Sequence, residues 1–189
     1  MIDIDRLVEI RWHGRGGQGA VTSAEMLARA AILEGKYAQA FPAFGPERRG
    51  APVLAFVRID GKQPVKIRAE ITKPDVVVVL DSGLLSIMNV AAGLKPGGVV
   101  VINTKDNAEQ LRKAFGDNCV LATVDASSIA REVLGVPITN TTMVGAVVKA
   151  TGVIKLESLV EPLKHRFGRL AEKNIEAVKK GYEQTSIKE

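Results

Sequence analysis

The stretch LVEIRWHGRGGQG, residues 7–19, determines the fold class of this chain of 189 residues. Residues 7–12 alternate between apolar and polar side chains and are rich in β-prone types, which predicts a strand. The run from Gly14 to Gly19 matches the pattern G-x-G-x-x-G, and the Ala-, Leu- and Met-rich run 20–34 predicts a helix. A strand, a glycine turn and a helix in this order are typical of the first unit of a Rossmann-like α/β domain.

Strand and helix patterns alternate through most of the remaining sequence. We predict further strands at 37–41, 53–59, 76–80, 99–102 and 119–124, with a hairpin partner of the second of these at 65–68. We predict further helices at 82–92, 106–115, 126–134, 141–151, 156–163 and 171–182, with Asn140 as the cap of the helix at 141–151. Because strands that alternate with helices form parallel sheets with right-handed crossovers, we expect an α/β, Rossmann-like fold. The sheet is expected to be mainly parallel, with helices on both faces, a possible antiparallel hairpin insertion and a helical C-terminus, in one domain spanning residues 1–189.

The composition excludes several classes of protein. Cys119 is the only cysteine, which excludes an internal disulfide and an iron–sulfur cluster held by four thiolates of this chain. His13 and His165 lie far apart in sequence and form no zinc motif. No apolar run approaches the roughly 20 residues that span a bilayer, and the acidic N-terminus lacks a signal-peptide core, so we expect a cytoplasmic protein without membrane contact. The net charge of +5 is dispersed and aromatic residues make up only 4%, which disfavours nucleic-acid binding.

The glycine turn at 14–19 has two interpretations. Its backbone N–H groups, the helix N-terminus and Arg15 could bind an anion, as in nucleotide-binding proteins. Alternatively, the glycines allow tight packing between strand and helix and face a partner protein. A free-standing nucleotide-binding module or an NAD-dependent enzyme would need an acid at the end of the second strand. That strand ends in AQAF at 38–41, and Glu34 precedes it, so this alternative is disfavoured.

The loop FPAFGPERRGAP, residues 41–52, carries two aromatic residues and two adjacent arginines after the second strand. Loops at this edge of an α/β sheet usually hold the ligand, and arginine suits carboxylates, phosphates and interfaces. The alternative is a surface loop whose arginines pair with Glu47 or with water. Because strands consecutive in the chain are usually neighbours, we expect Arg49 and the glycine turn to share one anion-binding or interface rim.

With these motifs, the sequence resembles the gamma subunit of pyruvate (or 2-oxoacid):ferredoxin oxidoreductases, also called pyruvate synthases, over nearly its whole length. The run IRWHGRGGQG is similar to the family's first strand and its G-x-G-G-Q-G turn. The run FGPERRG resembles the family's aromatic-Gly-x-Glu-x-Arg-Gly loop. In this match Arg49 corresponds to the arginine of the family's loop, and Arg48 lies at a variable position. Ala51 stands where many relatives have a second glycine. The run 75–81 resembles a buried strand that ends in Asp, and NTTMVGA, at 140–146, resembles the family's Asn-x-x-Met-x-Gly-Ala helix start.

This resemblance implies a non-redox subunit that is inactive alone, working in anaerobic metabolism. The complex decarboxylates a 2-oxoacid, with pyruvate as the default, and yields acyl-CoA, CO2 and reduced ferredoxin. Thiamine diphosphate belongs to the alpha and beta subunits, and iron–sulfur clusters to beta and delta. Coenzyme A is the co-substrate, ferredoxin is the external acceptor, and this chain alone binds no cofactor. Without any catalytic or metal-binding residue, the candidates for coenzyme A or anion binding, or for a subunit interface, are Gly14, Arg15, Gly16, Gly17, Gln18, Gly19, Gly45, Glu47, Arg48, Arg49 and Asn140.

Overall fold

A computed structural model describes residues 2, 6–43, 50–106 and 108–188, and within them the strands form one mixed sheet. The strands are β1 (Val8–Arg15), β2 (Tyr37–Pro42), β3 (Pro52–Asp60), β4 (Val76–Val79), β5 (Val99–Asn103), β6 (Val120–Val124) and β7 (Ser186–Lys188). Their order across the sheet is β2-β3-β1-β4-β5-β6-β7. Strands β1, β4, β5 and β6 pair in parallel, β3 is antiparallel to both β1 and β2, and β7 is antiparallel to β6. The expected Rossmann-like, mainly parallel fold is confirmed.

Helices and irregular segments cover the two faces of this sheet. The helices are α1 (Ala20–Leu33), α2 (Ala108–Phe115), α3 (Ala126–Leu134), α4 (Asn140–Thr151), α5 (Val160–Phe167) and α6 (Ala171–Gln184). Short 3-10 turns occupy Ser82–Ser86, Leu156–Leu159 and Gly168–Leu170. Within the described ranges, no helix combines the length and hydrophobicity that crossing a bilayer requires.

The helical face, as we call it, is covered by α1, α3, α4 and α6, with α5 packed on α1 and α6. Strand β1 contributes Ile10 and Trp12 to this face, and both are fully buried. Helices α4 and α6 approach closely because Gly145 and Gly181 lie at their contact. A Cβ atom at Gly145 would overlap the Val178 carbonyl, and one at Gly181 would overlap a carbonyl of α4.

The opposite face, which we call the clamped face, is covered by α2 and by the segments 61–75 and 82–95, in which no strand or α-helix forms. Two buried arginines hold these segments. Arg11 donates to the carbonyl oxygens of Ile71, Val90 and Ala92 at 3.2, 2.9 and 2.6 Å. On β3, Arg58 donates to carbonyls of the first segment at 3.1 and 2.7 Å and pairs with Glu9 at 3.0 Å. Guanidinium donors therefore satisfy carbonyl groups that a helix or a strand would otherwise satisfy internally.

Three expectations from the sequence are wrong, two for the segments of the clamped face and one for the strand order. The segment 65–68 is not a hairpin partner, because β1 and β2 already occupy both edges of β3 and Arg58 takes carbonyls of the segment. The helix predicted at 82–92 is only a 3-10 turn over Ser82–Ser86, since Arg11 draws two carbonyls further along the segment toward the sheet. Strands β1 and β2 are not neighbours either, because β3 lies between them. Their carboxyl ends still lie at the same edge of the sheet.

The end of α1 is tied to the segment that precedes α5. Glu34 Oε1 accepts hydrogen bonds from the Lys155 N–H and the Ser158 hydroxyl, each at 2.6 Å, and its Oε2 accepts one from Lys36 at 2.8 Å. Lys36 also donates to the Val153 carbonyl at 2.6 Å. Burial acts to raise the pKa of Glu34, but these hydrogen bonds outweigh it and lower the pKa. Glu34 therefore lies at the far end of α1 from the glycine turn, where it cannot hold a ribose bound at that turn.

Candidate functional site

A polar cleft of about 490 Å³ opens at the carboxyl edge of the sheet. Its lining comes from Gln18 in the glycine turn, from the segments that follow β4, β5 and β6, and from Pro137 and Thr139 before α4. The cleft lies beside the boundary between β1 and β4, where the chain changes its direction of progress across the sheet. Open α/β sheets place their ligands at this kind of position.

Asp81 fixes the conformation of the glycine turn. Its carboxylate accepts hydrogen bonds from Arg15 Nε at 2.8 Å, Gln18 Nε2 at 3.1 Å and the Gly83 N–H at 2.8 Å. Burial acts to raise the pKa of Asp81, but these donors outweigh it and lower the pKa. The charge of Arg15 is therefore already balanced, which makes this residue a poor free ligand for an anion.

The backbone of the turn is closed on itself and on the exit of the proline–arginine loop. The Arg15 N–H donates to Gln18 Oε1 at 2.7 Å, and the Gln18 N–H donates to the Arg15 carbonyl at 2.9 Å. Gly16 exchanges hydrogen bonds with the exit of the loop, since its N–H donates to Ala51 at 2.9 Å and its carbonyl accepts from Gly50 at 3.2 Å. Arg15 Nη1 also donates to the Gly50 carbonyl at 3.3 Å. The turn and the end of the loop thus form one unit.

The glycines of the turn also permit close packing. Gly17 and Gly19 have φ angles of 95° and 81°, which favour glycine. A Cβ atom at Gly19 would lie 2.7 Å from Asn140 Nδ2, and one at Gly14 would lie 3.1 Å from Leu80. The packing interpretation is thus supported for Gly14 and Gly19. The turn also lines the cleft, through Gln18.

Asn140, at the start of α4, contacts Gly19 and Ser23 at the start of α1. It is the first residue of α4 rather than its cap, and its Oδ1 accepts a hydrogen bond from the Thr141 N–H at 2.8 Å. The expected capping role is therefore wrong, because Thr139 occupies the cap position. The Ser23 hydroxyl of α1 lies 3.0 Å from the Gly19 carbonyl and 3.2 Å from the Asn140 carbonyl.

The remaining candidate residues, Gly45, Glu47, Arg48 and Arg49, lie outside the described residues, and so does their contribution to the cleft. The described flanks of this loop place its exit at the turn, since Gly50 follows Arg49 directly in the chain. The structure therefore brings together Gly14–Gly19, Asn140 and the loop exit at one edge of the sheet.

Sequence reasoning missed Asp81 and the polar floor of the cleft. Asn103 forms this floor by donating to the Leu80 carbonyl at 2.9 Å and to the Ser127 hydroxyl at 3.0 Å. The signal for Asp81 was present, because an acid ends the fully apolar run 76–80 at the edge that carries the turn. On the next strand, Asn103 lies one residue beyond Ile102, the partner of Val79 in the sheet register.

The electrostatic character of the cleft comes from helix ends as well as side chains. Helices α1 and α4 have no acid in their first turn, so no carboxylate of their own offsets their positive ends, although Asn140 Oδ1 accepts one N–H at the start of α4. Helix α3 differs, because Asp125 accepts a hydrogen bond from its Ser128 N–H at 3.0 Å. Across the described part of the chain, no three His, Cys, Asp or Glu side chains are grouped for a metal. The edge is suited to hold a polar or anionic group.

Comparison with known proteins identifies the family. The family described as pyruvate ferredoxin/flavodoxin oxidoreductase matches residues 9–184. The common gamma subunit of the pyruvate and ketoisovalerate oxidoreductases of Thermococcus litoralis is 56% identical over 185 residues, covering 97% of this chain and 100% of that protein. Pyruvate synthase subunit PorC of Methanothermobacter thermautotrophicus is 51% identical over 179 residues, covering 94% and 96%.

A solved structure agrees with these relatives. The crystal structure of the pyruvate oxidoreductase subunit PORC of Thermotoga maritima has a TM-score of 0.87 and 40% identity, and the match covers 97% of this chain and 99% of that one. Because the similarity in sequence and in fold extends over nearly its whole length, this chain belongs to the pyruvate ferredoxin/flavodoxin oxidoreductase family.

Proposed function

We propose that this chain is the gamma subunit of a 2-oxoacid:ferredoxin oxidoreductase complex. The complex converts a 2-oxoacid, with pyruvate as the first candidate, and coenzyme A to acyl-CoA and CO2, and it passes two electrons to ferredoxin. The observation that carries the proposal is the 56% identity to a gamma subunit along 97% of the chain. Because that relative is named as common to a pyruvate and a ketoisovalerate oxidoreductase, the choice of 2-oxoacid is assigned to the other subunits.

The chemistry is divided between subunits in this proposal. Thiamine diphosphate, in the alpha and beta subunits, supplies decarboxylation, and iron–sulfur clusters in beta and delta supply electron transfer. The residues of this chain contribute a carboxyl-edge rim formed by the glycine turn, Asn140, and Gly50 and Ala51 at the exit of the proline–arginine loop, and we infer that Arg49 acts at this rim. The rim either binds the phosphate groups of coenzyme A or contacts a partner subunit.

Different observations support the two roles of the rim. The N-termini of α1 and α4, whose first turns contain no acid, favour an anionic ligand such as a phosphate group. The ion pair between Arg15 and Asp81 and the internal hydrogen bonds of the turn favour a rigid contact surface. Substitution of Arg49 can distinguish the two roles, because Arg49 is the arginine that matches the loop of the family.

Reconstitution tests the proposed subunit role. The isolated chain is expected to show no oxidoreductase activity and no visible absorbance from iron–sulfur clusters. Addition of the chain to the alpha, beta and delta subunits should restore ferredoxin reduction that depends on a 2-oxoacid. Activity of the purified chain alone, or a fully active complex without it, would contradict the proposal.

Substitution of Arg49 by alanine tests the rim, with Arg48→Ala as the control at the adjacent, variable position. Loss of one charge-assisted contact weakens binding by about 1.5–3 kcal/mol, or roughly tenfold to hundredfold. A raised KM for coenzyme A in an intact complex indicates ligand contact, whereas dissociation on gel filtration indicates an interface. If Arg49→Ala matched Arg48→Ala in both measurements, the rim would have neither role.

A further inference from the structure

Asp81 contributes both to the wall of the cleft and to the hydrogen bonds of the glycine turn. It lies two residues beyond the end of β4, its side chain is 24% exposed, and it lines the cleft together with Gln18. Its Oδ2 accepts hydrogen bonds from Arg15 Nε and Gln18 Nε2, and its Oδ1 accepts one from the Gly83 N–H. Because both oxygens are engaged, the carboxylate has a fixed position at the boundary between the cleft and the turn.

Arg15 extends from this carboxylate to the exit of the proline–arginine loop. While its Nε donates to Asp81 at 2.8 Å, its Nη1 donates to the Gly50 carbonyl at 3.3 Å. A guanidinium is planar and presents its donors in a fixed fork, so the oxygen that holds Nε also sets the direction of Nη1. The position of the Asp81 carboxylate therefore determines where Arg15 can hold the loop exit.

The two residues of the loop exit, Gly50 and Ala51, depend on polar contacts. Strand β3 begins at Pro52, opposite Arg15, so the sheet holds the chain from that residue onward. Gly50 is exposed and Ala51 is partly buried, which leaves little apolar contact to fix them. Their backbone groups bond instead to Gly16, and the Gly50 carbonyl also accepts from Arg15. Loss of the Arg15 contact should therefore loosen the exit while the sheet stays intact.

We propose that Asp81 is a positioning residue, which fixes the exit of the proline–arginine loop at the carboxyl-edge rim by acting through Arg15. A simpler role, as the cap of the 3-10 turn at Ser82–Ser86, requires only Oδ1, which accepts the Gly83 N–H. That role leaves unexplained the two further donors that the glycine turn directs at Oδ2. The proposal rests on the proposed function, because the rim is the site whose shape Asp81 would maintain.

The variant Asp81→Ser separates the two roles. A serine hydroxyl can still accept the Gly83 N–H, as serine does at helix N-termini, but it supplies no second acceptor for Arg15. We expect the amides of Gly16 and Gly50 to exchange roughly tenfold faster in the full chain, as measured by NMR, because a charge-assisted hydrogen bond is lost at a partly exposed site. Amides of β4 and β5 should exchange as before. Unchanged exchange at the two glycines, or equal acceleration throughout the sheet, overturns the proposal.

The matched control is Asp60→Ser. Asp60 accepts hydrogen bonds from the N–H groups of Lys62 and Gln63, each at 2.8 Å, at the end of β3. The end of β3 lies beside the start of β1, so this carboxylate is at the opposite edge of the sheet from the rim. Exchange of the two glycine amides should not change in the control. An acceleration equal to that in Asp81→Ser would overturn the proposal.

The variant Arg15→Lys tests whether Asp81 acts through the guanidinium. A lysine ammonium keeps the positive charge, but it is a compact group that lacks the fork needed to reach two separate acceptors in fixed directions. We expect Arg15→Lys to accelerate exchange of the same glycine amides. The double variant with Asp81→Ser should exchange no faster than the more strongly affected single variant, because both changes interrupt one chain of contacts. Effects that multiply in the double variant would show that the residues act independently and would overturn the proposal.

In the reconstituted complex, Asp81→Ser should alter the same quantity as Arg49→Ala, either the KM for coenzyme A or the association of the subunits. The change should have the same direction and a smaller size, and a change in KM should exceed any change in kcat. Faster exchange of the glycine amides without an effect in the complex overturns the role of Asp81 at the rim. Failure of the unaltered chain to restore activity contradicts the proposed function instead, and the exchange measurement does not depend on that result.

Discussion

The two faces of the sheet are buried by different means. Ile10 and Trp12 of β1 pack against helices on the helical face, where apolar contact suffices. Arg11 and His13, the alternate residues of the same strand, are equally buried on the clamped face, at 7% and 3% exposure. There they lie under segments whose carbonyl groups need donors. The helical face is therefore buried mainly by apolar packing between regular elements, whereas the clamped face combines apolar clusters with a few polar side chains that satisfy the carbonyl groups of its covering segments.

The largest effect is expected on the helical face, from Val78→Asp. Val78 is fully buried among apolar side chains, so an ionised aspartate at this position would have no partner. This costs several kcal/mol, a large part of the roughly 5–15 kcal/mol that stabilises a typical domain. The variant should not fold or join the complex, as measured by circular dichroism and gel filtration, whereas Val78→Ala should remain folded. A soluble and normally assembling Val78→Asp protein would contradict the burial of this strand.

On the clamped face, Arg11→Met should destabilise the chain by about 3–5 kcal/mol, because it leaves the three carbonyl groups that Arg11 satisfies without a donor. Urea unfolding measures the change. The control is Arg169→Met, an exposed arginine for which a change within about 0.5 kcal/mol is expected. Equal stabilities of the two variants would show that the arginine does not hold the covering segments.

The pH dependence of stability tests the contribution of His13 to the clamped face. Burial, together with the charge of Arg11, lowers the pKa of His13 to about 4, while the unfolded chain titrates near 6.5. Because the unfolded state then binds more protons, stability should fall as the pH is lowered through this window. The full loss is roughly 3 kcal/mol. Unfolding free energies measured from pH 7 to pH 4 should show this slope, and His13→Gln should flatten it. An identical slope in both proteins would assign the effect to other groups.

The smallest effect is expected for Gly145→Ala, where α4 contacts α6. In an exposed helix this change would stabilise by about 1 kcal/mol. Here the new Cβ would overlap the Val178 carbonyl, so we expect a loss of about 1–3 kcal/mol instead. Thermal unfolding measures the sign. A stabilised variant would show that the two helices can separate without cost.

The helical face could be predicted from sequence because its signals are periodic. The apolar run 76–80 and the helices at 126–134 and 171–182 appear close to their predicted positions. The clamped face could not be predicted in the same way. In β1, alternation of apolar and polar residues indicates a half-solvated strand, but its Arg11 and His13 are buried. Sequence periodicity carries no information about which distant carbonyl groups a buried guanidinium will satisfy. The β7 strand was also missed, since three exposed residues form no pattern.

The candidate site was predictable where it depends on local geometry. The glycine turn between β1 and α1 lies at the carboxyl edge, as its sequence indicates. The contacts of Asn140 with Gly19 and of Asp81 with Arg15 join residues that are far apart in the chain. The contact of Asp81 with Arg15 depends on the strand order, in which β4 pairs with the edge of β1 opposite β3. The sequence does not specify that order.

The hydrogen bonds of Glu34 have a consequence for the way in which the chain unfolds. They join the end of α1 to Lys155 and Ser158, which lie more than a hundred residues further along the chain, so α1 cannot leave the sheet without releasing the segment that precedes α5. Elements distant in the sequence are therefore expected to open together, as one cooperative unit, and amide protons of α1 and of α5 should exchange with solvent at similar rates.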